Sequence, residues 1–153
     1  NFFATVQNKM HYAVHGFTAA EIIAQRADAK KPLMGLTSFK GNYITEADTH
    51  IAKNYLNESE INQLNLIVSL YIDFAELQAA SGRSMKMNDW IKKLDEFLTI
   101  SEKPLLHTAG TVSAKQAELK ALVEYKKYRK VEDKKYISDF DREVKKLLQK
   151  TKK

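Results

Sequence analysis

Two histidines, His11 and His15, stand four residues apart in the first segment of the chain. On a helix this spacing places both imidazoles on one side, which is the arrangement that a metal ion needs from two of its ligands. Further ligands would have to come from Glu21, Asp28 or Asp73 after folding. The alternative is structural: His15 interacts favourably with the C-terminal end of the helix dipole, and His11 packs. We favour the structural interpretation and expect no metal and no cofactor.

Four charged residues form a second set of candidates for chemistry: Glu21, Arg26, Asp73 and Glu76. Glu21 completes a predicted capping box with Thr18, in which its carboxylate satisfies a free backbone N–H, and we favour that role over catalysis. Asp73 and Glu76, three residues apart on a helix, could act as an acid–base pair or coordinate a cation. We favour a structural pairing in which Arg26 contacts these acids and neutralises a carboxylate on an otherwise apolar helix.

The helix predicted over residues 57–81 carries Asp73 and Glu76, and its pattern is unusual. Apolar side chains cover most of its circumference, whereas the polar ones form a single narrow stripe: Asn62, Asn65, Ser69, Asp73 and Glu76. A surface helix shows the reverse pattern, so we predict that this helix runs through the middle of the domain, with Ile67 and Tyr71 buried. The stripe then either meets solvent at one edge or lines an internal polar site.

Residues 30–43 form a predicted loop that is long enough to contact a ligand or to pack as an Ω-loop. Its lysines and hydroxyls could bind an anion, and the candidates are Lys31, Thr37, Ser38 and Lys40. No GxxxxGK[ST] spacing is present, so the loop is not a P-loop. Its apolar residues favour instead a connection packed against the core: Leu33, Met34, Leu36 and Phe39.

Positive charge is concentrated in the second half of the chain. The formal net charge is +6, but residues 1–82 hold 6 Lys+Arg against 8 Asp+Glu, whereas residues 83–153 hold 19 against 11. One side of a helix there would carry four lysines: Lys126, Lys127, Lys130 and Lys134. Such a face could hold the phosphates of a nucleic acid, with binding that weakens as salt rises. No pattern for reading bases accompanies it, and we favour an ordinary solvated helix face.

Composition limits the class of protein. A chain of 153 residues with 44% hydrophobic content can bury one core, and no apolar run is long enough to span a membrane. The lack of cysteine excludes disulfides, thiol catalysis and cysteine metal sites, and fits a cytoplasmic protein. Because the chain begins at Asn1 directly in a helical pattern, we expect a single domain, residues 1–153, that is the C-terminal portion of a longer protein.

Hydrophobic spacing and capping signals predict helices throughout and no pair of strands. The predicted helices cover residues 2–14, 18–29, 45–56, 57–81, 88–100, 113–134 and 139–149, and Ser138 begins the last of them. The few glycines and prolines lie between these segments, as a helical bundle requires. The predicted fold is therefore all-α, a compact irregular bundle of about six to seven helices.

The same segments carry a family resemblance. Residues 2–11 (FFATVQNKMH), 18–23 (TAAEII), 26–29 (RADA), 34–38 (MGLTS), 52–56 (AKNYL), 71–76 (YIDFAE), 87–90 (MNDW) and 138–141 (SDFD) resemble the RhuM family of bacterial virulence-associated proteins. The resemblance implies the C-terminal portion of a protein associated with DNA and with restriction–modification clusters, and it implies no defined biochemical activity. Phe17 departs from the family, whose members commonly have a polar residue there, often histidine, and this argues against a metal site.

A second resemblance concerns mechanism. A helix, then His15-Gly16-Phe17, then another helix is similar to the active-site hairpin of Fic/Doc proteins, whose motif begins H-x-F and continues into a glycine-rich anion nest. Here residues 18–22 (TAAEI) supply no glycine, asparagine or arginine at the positions that the nest requires. We therefore predict at most a degenerate Fic/Doc-like arrangement, without nucleotidyl transfer.

These observations together predict a non-catalytic binding or interaction domain of a DNA-associated bacterial protein. The expected partners are nucleic acid, contacted mainly through an upstream region, and a protein partner or a second copy of the chain; no membrane contact is expected. The alternative is an enzyme that acts on a nucleotide or nucleic acid, with active-site residues drawn from His11, His15, Glu21, Lys40, Asp73 and Glu76.

Overall fold

The computed structural model describes residues 1–135 and 139–150, and within these two ranges every regular element is helical. The α-helices are α1 (Phe2–His15), α2 (Ala19–Arg26), α3 (Glu46–Thr49), α4 (Glu58–Ala80), α5 (Met87–Ile100), α6 (Ala114–Lys135) and α7 (Asp139–Lys150). Two short 3-10 turns, Pro32–Gly35 and Ala52–Tyr55, flank α3. The all-α prediction is confirmed; Ser138, the predicted cap of the last helix, lies outside the described ranges. No helix within these ranges is long and apolar enough to cross a bilayer.

Side-chain caps fix where α2, α4 and α6 begin. At each start a polar side chain accepts a hydrogen bond from the backbone N–H three residues later, and the side chain of that later residue accepts one in return. The pairs are Thr18 with Glu21, Asn57 with Glu60, and Ser113 with Gln116. The ends of these helices are therefore set locally, by residues that can be recognised in the sequence.

The segment between α2 and α4 is less helical than the sequence predicts. α2 ends three residues early, because Ala27 adopts an extended backbone with φ −67° and ψ 109°. The helix predicted over residues 45–56 is broken into α3 and a 3-10 turn, with Ile51 extended between them. Tyr55 OH donates to the Thr49 carbonyl at 2.8 Å, which a continuing helix would use for its own backbone N–H. A tertiary hydrogen bond thus replaces a helical one.

The core is built mainly by α1, α2, α4, α5 and α6. Small side chains let α6 approach α2 closely, since Ala117 and Ala121 are fully buried between them. α4 and α5 meet through aromatic rings, with the centroid of Trp90 lying 6.2 Å from Tyr71 and 6.3 Å from Phe74. α1 contacts both α4 and α5, and α2 contacts α6, so the α1–α2 hairpin that carries the histidine pair is held against the rest of the bundle.

α4 is not the central helix that its sequence predicts. Ile67 is 5% exposed and Tyr71 is buried as expected, but the adjacent Leu66 is 63% exposed. The whole polar stripe is exposed as well: Asn62, Asn65, Ser69, Asp73 and Glu76. The physical reason is that α4 packs against α1 and α5 along one face only, so its other apolar residues point outward. The stripe meets solvent, and the internal polar site is ruled out.

Candidate functional site

The predicted histidine pair forms at the C-terminal end of α1. His11 Nδ1 and His15 Nε2 are 3.1 Å apart, so one ring donates a hydrogen bond to the other. His11 is 2% exposed. Burial, with a smaller contribution from His15, lowers the pKa of His11 to about 4. His11 is therefore neutral at pH 7 and packs in the core, as the structural interpretation expects.

His15 retains one unused ring nitrogen. Its Nδ1 atom is buried and has no hydrogen-bond partner among the described residues. Its ring stacks on Phe17, with centroids 6.3 Å apart and an interplanar angle of 23°. Burial lowers the pKa of His15, while the charge of Glu60 raises it and that of Arg26 lowers it. A neutral imidazole held in this way can still donate or accept one hydrogen bond.

Arg26 pairs with Glu60, and not with the predicted partners Asp73 and Glu76. Both terminal nitrogens of Arg26 donate to the Glu60 carboxylate at 2.7 Å, and Nη1 also donates to the Tyr55 carbonyl at 2.8 Å. This bidentate contact is the main cause that lowers the pKa of Glu60 to about 2. The C-terminal end of α2 lies beside the first turn of α4, whereas Asp73 and Glu76 are exposed farther along that helix.

Glu21 fastens the segment after α5 to the start of α2. Besides its capping contacts, Glu21 Oε1 accepts from Thr111 N–H at 2.6 Å and from Thr111 Oγ1 at 2.9 Å. Desolvation raises the pKa of Glu21, but the hydrogen bonds from Thr111 and Thr18 outweigh it, so the pKa is lowered overall. Gly110 has φ +83°, and a Cβ there would lie 2.7 Å from Thr18 Cγ2, so the two segments touch. The carboxylate is thus engaged in structure.

A cleft of about 590 Å³ lies beside this contact, between the α1–α2 hairpin and residues 105–112. Its lining includes Tyr12, Phe17, Glu21, Gln25 and His107. His11 lines a different, more apolar groove of about 570 Å³ between α1 and α4. The catalytic candidates therefore do not converge on one cleft: Glu21 and His11 face different cavities, and the acids of α4 face solvent.

Of the four loop residues predicted to bind an anion, one is used in contacts within the fold and three are exposed to solvent. The Thr37 hydroxyl lies within hydrogen-bond distance of the carbonyls of Asn54 and Leu56, so its single O–H donor is already used within the fold. The other three are exposed: Lys31, Ser38 and Lys40. The apolar residues Met34 and Leu36 are buried, as a packed connection requires.

The basic residues of α6 have two kinds of surroundings. Glu124, which is buried, accepts from Lys127 Nζ at 3.0 Å, from Lys120 Nζ at 3.2 Å and from Ala29 N–H at 2.9 Å. The hydrogen bond from Ala29 is the largest cause that lowers the pKa of Glu124 to about 2. The other three lysines of the predicted basic face are Lys126, Lys130 and Lys134. They are exposed, and no carboxylate in the described part of the chain lies within 4.0 Å of them.

Sequence reasoning missed Glu60, Glu124 and Thr111 as partners. Glu60 is recognisable in the sequence only as a helix cap, and its contact with Arg26 joins residues 34 positions apart. Glu124 looks like one of several acids scattered among lysines. Its distinguishing signal is the spacing from Ala117 and Ala121, which places it on the buried side of α6.

The histidine pair provides two candidate ligands for a metal ion on α1. Across residues 1–135 and 139–150, no three His, Asp or Glu side chains are grouped closely enough to hold one. Glu21 is held by Thr111, and Asp73 lies on the exposed side of α4. Among the described residues, no third side chain therefore lies beside the histidine pair that could complete a metal site.

Comparison with known proteins adds a family to this geometry. Neither the curated proteins nor the solved structures contain a match to the chain. A family model described as the virulence protein RhuM family matches residues 1–137. The match includes the histidine pair, the Arg26–Glu60 contact and all of α6. The chain belongs to the RhuM family of virulence proteins.

Proposed function

We propose that this RhuM-family chain is a helical interaction module that contacts the phosphate backbone of nucleic acid through Lys126, Lys130 and Lys134. These residues are named the α6 lysine row. The observation that carries the proposal is that all three are exposed and unpaired on one side of α6 within the described part of the chain. At 1.5 Å per residue the row spans about 12 Å, a length that covers the rise of three to four base pairs along the axis of a duplex at about 3.4 Å each.

The other basic residues near the row support this proposal by contrast. Glu124 pairs with both Lys120 and Lys127, while Arg129 Nη2 lies 2.7 Å from Asp133 and Lys135 Nζ lies 2.9 Å from Glu132. The pairs with Asp133 and Glu132 contribute little to stability because they are exposed. The three lysines of the row, by contrast, keep their full positive charge among the described residues, and phosphate contacts to them would release bound counterions.

Binding through this row is expected to be independent of base sequence. A lysine acts as a point charge on a flexible stem, and contacts to phosphate position a protein without reading bases. The enzyme alternative has less support, because His11, Glu21 and the acids of α4 face different surroundings.

The experiment measures the affinity of the chain for a mixed-sequence DNA duplex by fluorescence anisotropy over a series of salt concentrations. The variant combines Lys126→Glu, Lys130→Glu and Lys134→Glu. We expect weaker binding at low salt and a plot of log K against log salt whose slope falls by about three, one for each phosphate that the variant no longer neutralises.

The matched control makes the same change of charge on another surface. Arg83→Glu, Lys86→Glu and Lys92→Glu alter three exposed residues in and before α5. We expect this control to retain more affinity and a steeper slope than the row variant. Equal reductions of affinity in the two variants would mean that net charge alone drives binding, and an unchanged affinity in the row variant would exclude the α6 lysine row.

A further inference from the structure

The groove between α1 and α4, named the α1–α4 groove, is a cavity with mainly apolar walls. Its volume of about 570 Å³ falls within the range of about 300–1,000 Å³ that is typical of small-molecule sites. The walls include Phe3 and Ile72, which are each more than half exposed to solvent. Because the lining follows α1 from Phe2 to His11, the groove is about 14 Å long at 1.5 Å per residue. A cavity of this kind fits an extended apolar chain.

Polar side chains of the lining lie together towards one end of the groove. Along α1, the apolar Phe3 comes first, and Gln7 follows it by about one turn. Lys53 Nζ donates to the side-chain oxygen of Asn65 at 3.3 Å. Gln7 also lines a second cavity with residues 50–52, which directly precede Lys53. The groove therefore leads from an apolar end to an end that carries hydrogen-bonding groups.

Lys53 gives the polar end its charge. Among the described residues that line the groove, Lys53 alone is charged at neutral pH, since His11 is held neutral by burial. The Lys53 side chain is exposed, and no carboxylate of the described residues lies within 4.0 Å of its ammonium. The ammonium has three N–H donors, of which Asn65 uses one. An unpaired ammonium at one end of an apolar groove attracts an anionic group and repels a cationic one.

We propose that the α1–α4 groove binds the anion of a single-chain fatty acid. The alkyl chain lies against Phe3, Val68 and Ile72, and the carboxylate accepts a charge-assisted hydrogen bond from Lys53. Burial of the chain supplies most of the affinity, while Lys53 selects the charge of the head group. The site shares no residue with the α6 lysine row, so this proposal is independent of the proposed contact with nucleic acid.

The experiment measures, by isothermal titration calorimetry, the binding of three probes to the 153-residue chain below their micelle concentrations. The probes are dodecanoate, octanoate and dodecyltrimethylammonium. We expect dodecanoate to bind and octanoate to bind at least about tenfold more weakly, because octanoate buries fewer CH₂ groups. We expect dodecyltrimethylammonium, which has the same alkyl chain, to bind at least about tenfold more weakly because Lys53 repels its head group. Absence of dodecanoate binding, or equal affinity for either other probe, would overturn the proposal.

Two matched pairs of variants locate the site. Lys53→Gln removes the ammonium of the groove, and Lys92→Gln removes one from an exposed lysine outside it. Ile72→Glu places a carboxylate on the apolar wall, and Leu70→Glu makes the same change at a similarly exposed residue of α4 that does not line the groove. The Kd for dodecanoate should rise about tenfold in Lys53→Gln and in Ile72→Glu, and less than about twofold in the two controls.

Circular dichroism checks that each variant is folded, and Ile72→Gln replaces Ile72→Glu if that variant is not. Equal changes of Kd within either matched pair would show that the overall charge of the chain governs binding, and the groove would then be excluded as the site. Light scattering tests a second copy of the chain as the alternative occupant. A dimeric wild type that becomes monomeric in Ile72→Glu would assign the groove to that second copy and overturn the proposal.

Discussion

His11 and Glu60 owe their ionisation states to their immediate surroundings. Burial holds His11 neutral, with a pKa of about 4 against an ordinary 6.5, and the Arg26 guanidinium holds Glu60 ionised, with a pKa of about 2 against 4.5. In both cases the folded chain binds fewer protons than the unfolded chain between the two pKa values. Stability therefore falls with acid, from pH 6.5 towards 4 through His11 and from pH 4.5 towards 2 through Glu60.

The first prediction separates His11 from the carboxylates by using the pH range above about 5. As the pH falls from about 7 to about 5, His11 should reduce the free energy of unfolding of the wild type by about 2 kcal/mol. The reason is that His11 binds a proton in the unfolded state but not in the folded state. His11→Gln should remove most of this dependence, whatever its stability at neutral pH. Urea denaturation at several pH values measures it. His107→Gln, at an exposed histidine, is the control. If the unfolding free energy of His11→Gln changed with pH as steeply as that of the wild type, His11 would not be the group responsible.

At the scale of elements, the 3-10 turn Pro32–Gly35 depends on one glycine. Gly35 has φ +91°, and a Cβ there would collide with the Arg26 carbonyl oxygen at the end of α2. Gly41 has nearly the same φ, +90°, but no atom lies within 4 Å of its would-be Cβ. The two glycines share the backbone strain that a substitution would introduce, and they differ only in the collision.

The second prediction uses this difference. Gly41→Ala should cost about 1 kcal/mol of unfolding free energy, because alanine is strained at positive φ. Gly35→Ala should cost about 2 kcal/mol more, because α2 or the turn must shift to make room. Urea denaturation of both variants at neutral pH gives the comparison. Equal costs would show that the turn moves freely away from α2.

Elements with local signals could be predicted from the sequence, whereas features that depend on contacts between distant segments could not. The capping boxes at Thr18, Asn57 and Ser113 are local, because each pairs residues three apart, and they located the starts of three helices correctly. The apolar circumference of α4 indicated how much of its surface could be buried. It did not indicate how much of that surface the neighbouring helices would cover. For the same reason the sequence paired Arg26 with the wrong carboxylates, since its contact with Glu60 depends on how α2 meets α4.

At the scale of the whole molecule, polar contacts between distant segments supplement the hydrophobic core. Lys9 Nζ donates to Asp95 at 2.8 Å and to the Leu106 carbonyl at 2.9 Å, which joins α1 to α5 and to the segment after it. Glu124 joins α6 to the segment after α2 through Ala29 N–H. Because each of these contacts is partly or fully removed from water, removing one partner leaves the other unsatisfied.

The third prediction tests the contact that anchors α6. Glu124→Gln should lower the unfolding free energy by about 2 kcal/mol at neutral pH, because the amide replaces a buried carboxylate that accepts three hydrogen bonds. The pKa of Glu124 is about 2 in the folded chain, below its ordinary 4.5. The difference between variant and wild type should therefore be complete above pH 4.5 and shrink as pH falls towards 2. Glu118→Gln, at an exposed acid of the same helix, should change stability by less than about 0.5 kcal/mol. Equal effects of the two substitutions would show that α6 is held by its alanine contacts alone.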